Sequence, residues 1–406
     1  MKRILVADSP KILLGVTIDY QLQYHSGLPA LLVADGWDVH VVSGPGQRIE
    51  ELRLVPGVTA HIIPMAREPR PMSDVMSLIK WVRLIQLLRP DTTLIGTPKA
   101  ALLGNFAAQL FRVKRRIYLL HGLRLETSVG IKRSLLRLIE RVTSRMAHET
   151  LAVSASLRQL AIRSADIREN NILVLGAGSC NGIDIEKYRT SVLNLDQKRS
   201  LANTIKLDPT IPTVGFVGRI TKDKGLTQLA GAMRLLYSRG VTVQLLIIGP
   251  IDGKSGTAAI AELEGTHQAV IATGYREDPA PFYQLMDVFC LPSLREGLPG
   301  VILEAMASRT AVVGTDATGI VDVIEDGVTG LVVARGSDEE LASALETLIL
   351  SHARRDALTE NAFDMVSVRF NTPRVQGLLR DFLRSRHANR GRRPFPATAA
   401  KSAAGV

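Results

Sequence analysis

Residues 288–304 read Val288-Phe289-Cys290-Leu291-Pro292-Ser293-Leu294-Arg295-Glu296-Gly297-Leu298-Pro299-Gly300-Val301-Ile302-Leu303-Glu304. The first four residues form a continuous apolar run of strand length, closed by a proline and a serine. An apolar series resumes after a Gly/Pro turn, as it does where a helix opens. Pro299 fits the first helical position, where a missing N–H costs nothing. Gly297 and Gly300 leave the amides of that turn bare, and a bare helix start attracts anions. Glu304 then falls about one and a half turns into the helix, while Glu296 stays on the loop. One carboxylate can accept hydroxyls at the mouth of such a site and the other deeper in, with a phosphate facing the amides between them. A sugar joined to a nucleotide through a diphosphate presents its groups in that order. Taken alone, the spacing fits equally well two solvated acids that flank a strand–turn–helix.

The same alternation extends in both directions. Upstream, strands are expected at Arg3–Ala7, Val39–Ser43, Thr93–Gly96, Arg116–Leu120, Glu149–Val153 and Asn171–Leu175. Helices are expected at Gly27–Asp35, Val75–Leu88 and Ile131–Met146. The pattern restarts with strands at Val214–Val217, Val243–Ile248, Val270–Ala272, Val288–Leu291, Ala311–Val313 and Gly330–Val333. Strands that alternate with helices imply parallel sheets. A chain of 406 residues is long enough for two cores. The expectation is two doubly wound α/β domains facing a cleft, residues 1–190 and 191–370, divided in the polar stretch Ile185–Pro212. A helix over 371–386 should return to the first domain, and a disordered basic tail should follow over 387–406.

Composition narrows the class. The chain is 46% hydrophobic and 22% charged, with 33 glycines. No apolar run reaches the roughly 18 residues of a membrane span. The segment Ile4–Ala7 is short for a signal peptide. Two cysteines, Cys180 and Cys290, stand far apart, which suits a reducing cytoplasm better than a disulfide framework. The net charge is +11. Six of those charges belong to Arg384, Arg386, Arg390, Arg392, Arg393 and Lys401, in a tail without acids. A basic chain favours anionic partners. Aromatic residues make up only 4% and do not interleave with the basic clusters, which argues against stacking on nucleic acid.

Other motifs follow strand ends. Gly218-Arg219-Ile220-Thr221-Lys222-Asp223-Lys224-Gly225 lies where ligands bind in open α/β sheets. Its Arg219 and Lys224 suit a diphosphate, although the same loop reads equally as a solvated basic turn. Thr273-Gly274-Tyr275-Arg276 could present backbone groups to a base, and His121 in Leu119-Leu120-His121-Gly122 could touch a sugar. Leu175-Gly176-Ala177-Gly178-Ser179-Cys180-Asn181-Gly182 mimics a dinucleotide fingerprint, but no strand ending in an acid follows about 20 residues later. Asp184 and Glu186 have a spacing found in some divalent sites, yet no His/Cys cluster accompanies them. No Gly-x-Ser-x-Gly elbow occurs.

In combination, Arg219…Lys224-Gly225, Gly274-Tyr275-Arg276 and Glu296-Gly-Leu-Pro…Glu304-Ala-Met-Ala resemble the family 4 retaining glycosyltransferases of the GT-B fold. His121-Gly122, Thr97-Pro98-Lys99 and Gly178…Gly182-Ile183-Asp184 point to the capsular and exopolysaccharide branch of that family. The resemblance covers roughly residues 1–385. It implies transfer of a hexose or N-acetylhexosamine from a UDP-sugar to a lipid-linked or oligosaccharide acceptor, without a cofactor or metal. It implies that Arg219 and Lys224 bind the diphosphate, that Glu304 holds the ribose, and that Glu296 with Gly297, Leu298 and Pro299 holds the transferred sugar. Tyr275 and Arg276 would frame the base, His121 would approach the reacting carbon, and Asp19 and Lys99 would lie on the acceptor side. One departure is that Val16-Thr17-Ile18-Asp19-Tyr20 stands where many relatives have a Gly-Gly pair. The alternatives are another GT-B activity, such as a nucleotide-sugar epimerase, or an inactive nucleotide-sugar-binding partner.

Arg133, Arg137, Arg141 and Arg145 recur every four residues among Ile131, Leu135, Leu138, Ile139, Val142 and Met146. Such a helix either attaches a cytoplasmic protein to an anionic bilayer, here the inner face of the plasma membrane, or packs its apolar residues inward with its charges in water.

Overall fold

The computed structural model describes residues 9–179, 181–190 and 192–388. The strand expected at 3–7, Cys180, and residues 389–406 of the expected tail lie outside them. The described strands are β1 (Lys11–Gly15), β2 (Asp38–Ser43), β3 (Val58–Ile62), β4 (Thr92–Gly96), β5 (Arg115–Leu120), β6 (Glu149–Ala152) and β7 (Ile172–Leu173) in the first half. The second half contains β8 (Thr213–Val217), β9 (Gln244–Ile248), β10 (Ala269–Ala272), β11 (Val288–Leu291), β12 (Ala311–Thr315) and β13 (Leu331–Val333).

The first set forms one sheet in the order β3-β2-β1-β4-β5-β6-β7 and the second a sheet in the order β10-β9-β8-β11-β12-β13. Every pairing is parallel. Helices cover both faces of each sheet, and the strands accordingly read as unbroken apolar runs. Val288, Phe289, Cys290 and Leu291 are all fully buried. Burial of Val288, Phe289 and Leu291 contributes about 1.5–3 kcal/mol each. This is the GT-B architecture of two doubly wound domains. In each sheet the strand order reverses once, between β1 and β4 and between β8 and β11. Crevices open at the carboxyl ends of those strands.

The second core begins ahead of the expected division at residue 190, because Ile183 and Tyr188 pack into it. The chain crosses between domains twice, side by side. Ile183 N–H donates to Phe370 O at 2.8 Å, and Thr372 N–H donates to Ile183 O at 2.9 Å. The helix Thr372–Ala388 then lies on the first domain. Arg115 fixes it by donating to the carbonyls of Leu383 (2.9 Å) and Phe382 (3.1 Å) while pairing with Glu149. Leu298 packs against both cores, on the seam between the two domains.

Candidate active site in the interdomain cleft

The loop after β8 and the loop after β11 leave neighbouring strands and meet. Lys224 closes a short turn, and its Nζ donates to Glu296 Oε1 at 2.5 Å. Ser293 Oγ donates to the same oxygen at 2.7 Å. Both charged side chains are mostly buried, at 17% and 13% exposure. Gly225 makes this approach feasible. It has φ +71°, and a Cβ there would lie 1.8 Å from Pro292 O. Behind the pair, Asp223 accepts from Thr221 Oγ1 and from Arg295, each at 2.6 Å. Arg219, at the head of the same loop, donates to Asp252 at 2.5 Å. Asp252 also accepts from Arg67 of the first domain at 3.2 Å, and Arg219 therefore lies at the cleft mouth.

The helix that carries Glu304 spans Gly300–Ala307, with Pro299 as the residue before it rather than its first member. No side chain caps its first turn, which leaves amides for an anion. Gly297 presses this helix start onto the other domain. A Cβ there would stand 1.8 Å from the carbonyl oxygen of His121, and Ser154 Oγ donates to Gly297 O at 2.8 Å. The Lys224–Glu296 pair, Gly297–Pro299 and the end of β5 are thus parts of one place.

His121 stacks on Tyr24 with ring centroids 4.4 Å apart. Burial, with His25 adding to it, pushes its imidazolium pKa down to about 3. Burial alone lowers His25 to about 4. Both rings are therefore neutral at physiological pH. Neither nitrogen of His25 finds a partner among the described residues, nor does His121 Nε2.

Glu304 anchors a second cluster on its helix. Tyr283 Oη donates to its Oε2 at 2.7 Å. Burial raises its pKa above the usual carboxylate value, and the Tyr283 bond opposes that shift. Lys187 lies near and pairs with Asp278 at 2.8 Å. Asp278 shares a loop with Tyr275 and Arg276. Tyr275 is exposed, and the Arg276 guanidinium lies 5.6 Å from the centre of the Phe282 ring.

The two acceptor-side residues are engaged elsewhere. Both oxygens of Asp19 accept backbone amides, from Ile49 at 2.7 Å and Arg48 at 3.1 Å. Asp19 therefore caps the helix Gln47–Arg53 instead of standing open to an acceptor. Lys99 pairs with Asp74 and donates to Glu68 O, both at 2.7 Å, and so holds the loop that leads to Arg67. The departure at Val16–Tyr20 has a structural counterpart. Thr17 and Thr97 share a 2.7 Å hydroxyl contact across the β1/β4 reversal. Thr97 takes φ +64° there, a costly conformation for a β-branched residue.

Several cleft residues were not foreseen. Glu126 accepts from Thr318 Oγ1 at 2.7 Å and Arg335 at 3.2 Å. Burial raises its pKa, with Thr318 opposing. Ser156 Oγ bonds Asp322, and Gly319 N–H donates to Ser156 Oγ at 2.7 Å. The only local hint was the Ser154-Ala155-Ser156 run that follows β6. Among the described residues no group of three His, Cys, Asp or Glu is placed to hold a metal.

Two facing doubly wound domains, with cations and an uncapped helix start on one wall and a neutral histidine on the other, define a GT-B transferase. Comparison with known proteins agrees. Residues 211–351 match the family model of glycosyl transferases group 1, and residues 23–178 match a glycosyl transferase 4-like domain. The chain is 35% identical over 363 residues to the capsular polysaccharide biosynthesis glycosyltransferase CapM of Staphylococcus aureus, covering 89% of this chain and 93% of that one. It is 25% identical to the N,N'-diacetylbacillosaminyl-diphospho-undecaprenol alpha-1,3-N-acetylgalactosaminyltransferase of Campylobacter jejuni, over 72% of this chain and 76% of that one. The crystal structure of Anabaena HepE in complex with UDP superposes with a TM-score of 0.74 at 19% identity, over 93% of this chain and all of that one. The chain belongs to the family 4 glycosyltransferases of the GT-B fold, on the capsular branch that CapM represents.

Proposed function

We propose that the protein is a retaining glycosyltransferase that moves a hexose or N-acetylhexosamine from a UDP-sugar to a lipid-linked saccharide during assembly of a cell-surface polysaccharide. The observation that carries this reading is the junction of Gly297 with the His121 carbonyl, which sets the Lys224–Glu296 pair and the helix start against the first domain. CapM and the Campylobacter transferase support the polysaccharide role and the diphospholipid acceptor. The UDP complex of HepE supports the base.

In this reading Lys224 and Arg219 take the diphosphate and stabilise the charge that develops on the leaving phosphate. The amides of 297–300 face the same phosphate. Glu296 accepts hydroxyls of the transferred sugar, and Glu304 takes the ribose. His121, neutral and aromatic-stacked, offers a polar edge near the reacting carbon without adding charge. The acceptor hydroxyl attacks from the face that the phosphate leaves. Its proton passes to that phosphate oxygen, so no protein base and no metal is assigned a role. A lipid-linked acceptor is confined to the bilayer, and peripheral attachment at the inner face of the plasma membrane belongs to the same reading.

The test is to incubate the enzyme with a panel of UDP-hexoses and UDP-N-acetylhexosamines and an undecaprenyl-diphosphate-linked saccharide, and to read the product by NMR. A new glycoside with the donor's anomeric configuration is expected. An inverted anomer would overturn retention, and a donor isomer formed without acceptor would favour an epimerase.

A further inference from the structure

Two phenols converge on Glu304 from within the second core. Tyr283 Oη donates to its Oε2 at 2.7 Å, and the Tyr188 hydroxyl bonds the same carboxylate. Tyr283 is fully buried and Tyr188 is 7% exposed. Their rings meet edge to face with centroids 6.5 Å apart, and Tyr283 meets Phe289 in the same way at 5.7 Å. Both tyrosines belong to the core, while Glu304 stays part-exposed. A phenylalanine would fill such a place without a polar group to satisfy, whereas a buried phenol needs a partner for its O–H. Here two neighbouring phenols share one carboxylate that water could solvate unaided. Burial, followed by the charge of Glu304, pushes both phenols well above their ordinary pKa. Each therefore stays protonated and serves the carboxylate as a donor.

Tyr188 comes from the connector between the domains. Two residues after Ile183, where the chain crosses beside Phe370 and Thr372, the short helix Ile185–Thr190 begins. It packs on the helix Gly300–Ala307 that carries Glu304. Lys187, on the same turn as Tyr188, lies near Glu304 and pairs with Asp278 at 2.8 Å. The connector thus brings two side chains to the place where Glu304 meets the loop after β10. An ionised carboxylate has about four lone-pair sites for hydrogen bonds. The phenols use two of them from the core side, which leaves acceptor capacity on the open side. A carboxylate fixed in this way loses less freedom when a hydroxyl binds it.

We infer that Tyr188 and Tyr283 are positioning residues that hold the Glu304 carboxylate in the orientation in which it accepts ribose hydroxyls, and that they thereby set a preference for ribonucleotide over deoxyribonucleotide donors. This rests on the reading of Glu304 as the ribose acceptor, and it makes the interdomain connector part of the nucleoside site. A deoxyribonucleotide leaves the fixed carboxylate desolvated and without its hydroxyl, and a site built around a substrate hydroxyl rejects the analogue that lacks it. Phenols that only filled the core would act alike on every nucleotide. Phenols that aim Glu304 act only on a nucleotide that carries the hydroxyl.

The test is calorimetric titration of UDP, 2′-deoxy-UDP and 3′-deoxy-UDP into the full chain. The wild type should bind UDP about tenfold or more tightly than at least one of the deoxy forms. Tyr188→Phe and Tyr283→Phe should each lower that ratio by about threefold or more, and the two together should bring it close to one. In a Glu304→Ala background the same substitutions should leave the ratio where Glu304→Ala alone puts it, because their effect passes through the missing carboxylate. Phenylalanine keeps both rings packed, and either single variant carries the test if the double variant fails to fold. Phenylalanine variants that discriminate as well as the wild type overturn the inference. So does an equal effect of the substitutions with and without Glu304, which marks a packing role. A wild type that binds UDP and both deoxy forms equally also overturns it, while leaving the glycosyltransferase reading in place. No saturable binding of UDP to the wild type would overturn both.

Discussion

Gly297→Ala is the substitution that most sharply separates a shared cleft from two independent domains. The added Cβ would lie 1.8 Å from the His121 carbonyl oxygen, and ordinary contact begins at 3.4 Å. The helix start and the end of β5 must therefore part by about 1.6 Å. Neither side yields easily. His121 directly follows β5, which is paired on both edges, and the Gly297 carbonyl is held by Ser154. The strain falls on the seam between two separate cores, so the relief expected is a wider cleft rather than a damaged core. A misplacement of about 1 Å costs about 10²-fold in rate. Overpacking costs about 1–3 kcal/mol where the wall is rigid, and less where two domains can separate. We predict a fall of at least about 10²-fold in kcat/KM, with Tm lowered by only about 2–4 °C. The assay is transfer of radiolabelled sugar to acceptor, alongside calorimetric melting. An alanine variant within threefold of wild type, at unchanged Tm, would show that the contact between Gly297 and His121 does not build the site.

Other substitutions test separate parts. Lys224→Ala leaves Glu296 without its ion-pair partner and removes the charge facing the leaving phosphate. It should lower kcat by about 10²–10³-fold, measured in the same assay, and a loss under threefold would remove Lys224 from the mechanism. His121 is held neutral by burial, with a pKa near 3, so His121→Asn should reduce kcat/KM by the same factor at about pH 6 and about pH 8. A defect that changes with pH across that range would contradict the burial argument. Glu140 behaves differently, since burial raises its pKa from 4.5 to about 7. Its folded value exceeds its unfolded one, so its contribution to stability is intact below about pH 4.5 and is lost as the pH rises through about 7. Glu140→Gln should leave urea stability near pH 4.5 unchanged and raise it at pH 8 by up to about 3 kcal/mol. Equal effects at both pH values would refute that assignment.

The second domain was legible because its information is local. The runs Thr213–Val217, Gln244–Ile248 and Val288–Leu291 are buried on both faces and carry no polar alternation, and their loops hold the chemistry within a few residues. The first domain was harder to read. The strand at which its sheet order reverses is Lys11–Gly15, which pairs Ile12 with Val39 on one side and Thr92 on the other. An apolar run at residues 4–7 matches it by pattern, and only long-range pairing picks out Lys11–Gly15. The strand Val58–Ile62 was not foreseen because it lies at the sheet edge and is mostly half-buried. Periodicity identified the helix Gly130–Met146 but not which side faces the sheet, since the buried polar side depends on Tyr118 and Thr150 across the fold. Ser154 reaches Gly297 across 143 positions, and no short motif carries a contact of that range. Asp19 has an acid's identity but a cap's geometry, which depends on where Gln47–Arg53 packs.

The central claim is that Lys224 and Arg219, with the helix start at 297–300, grip a nucleotide diphosphate in the interdomain cleft. Calorimetric titration of UDP into the wild type and into Lys224→Ala tests it most directly. Saturable binding at one site, weakened tenfold or more by the substitution, is the result expected. Equal affinity in both proteins would contradict it.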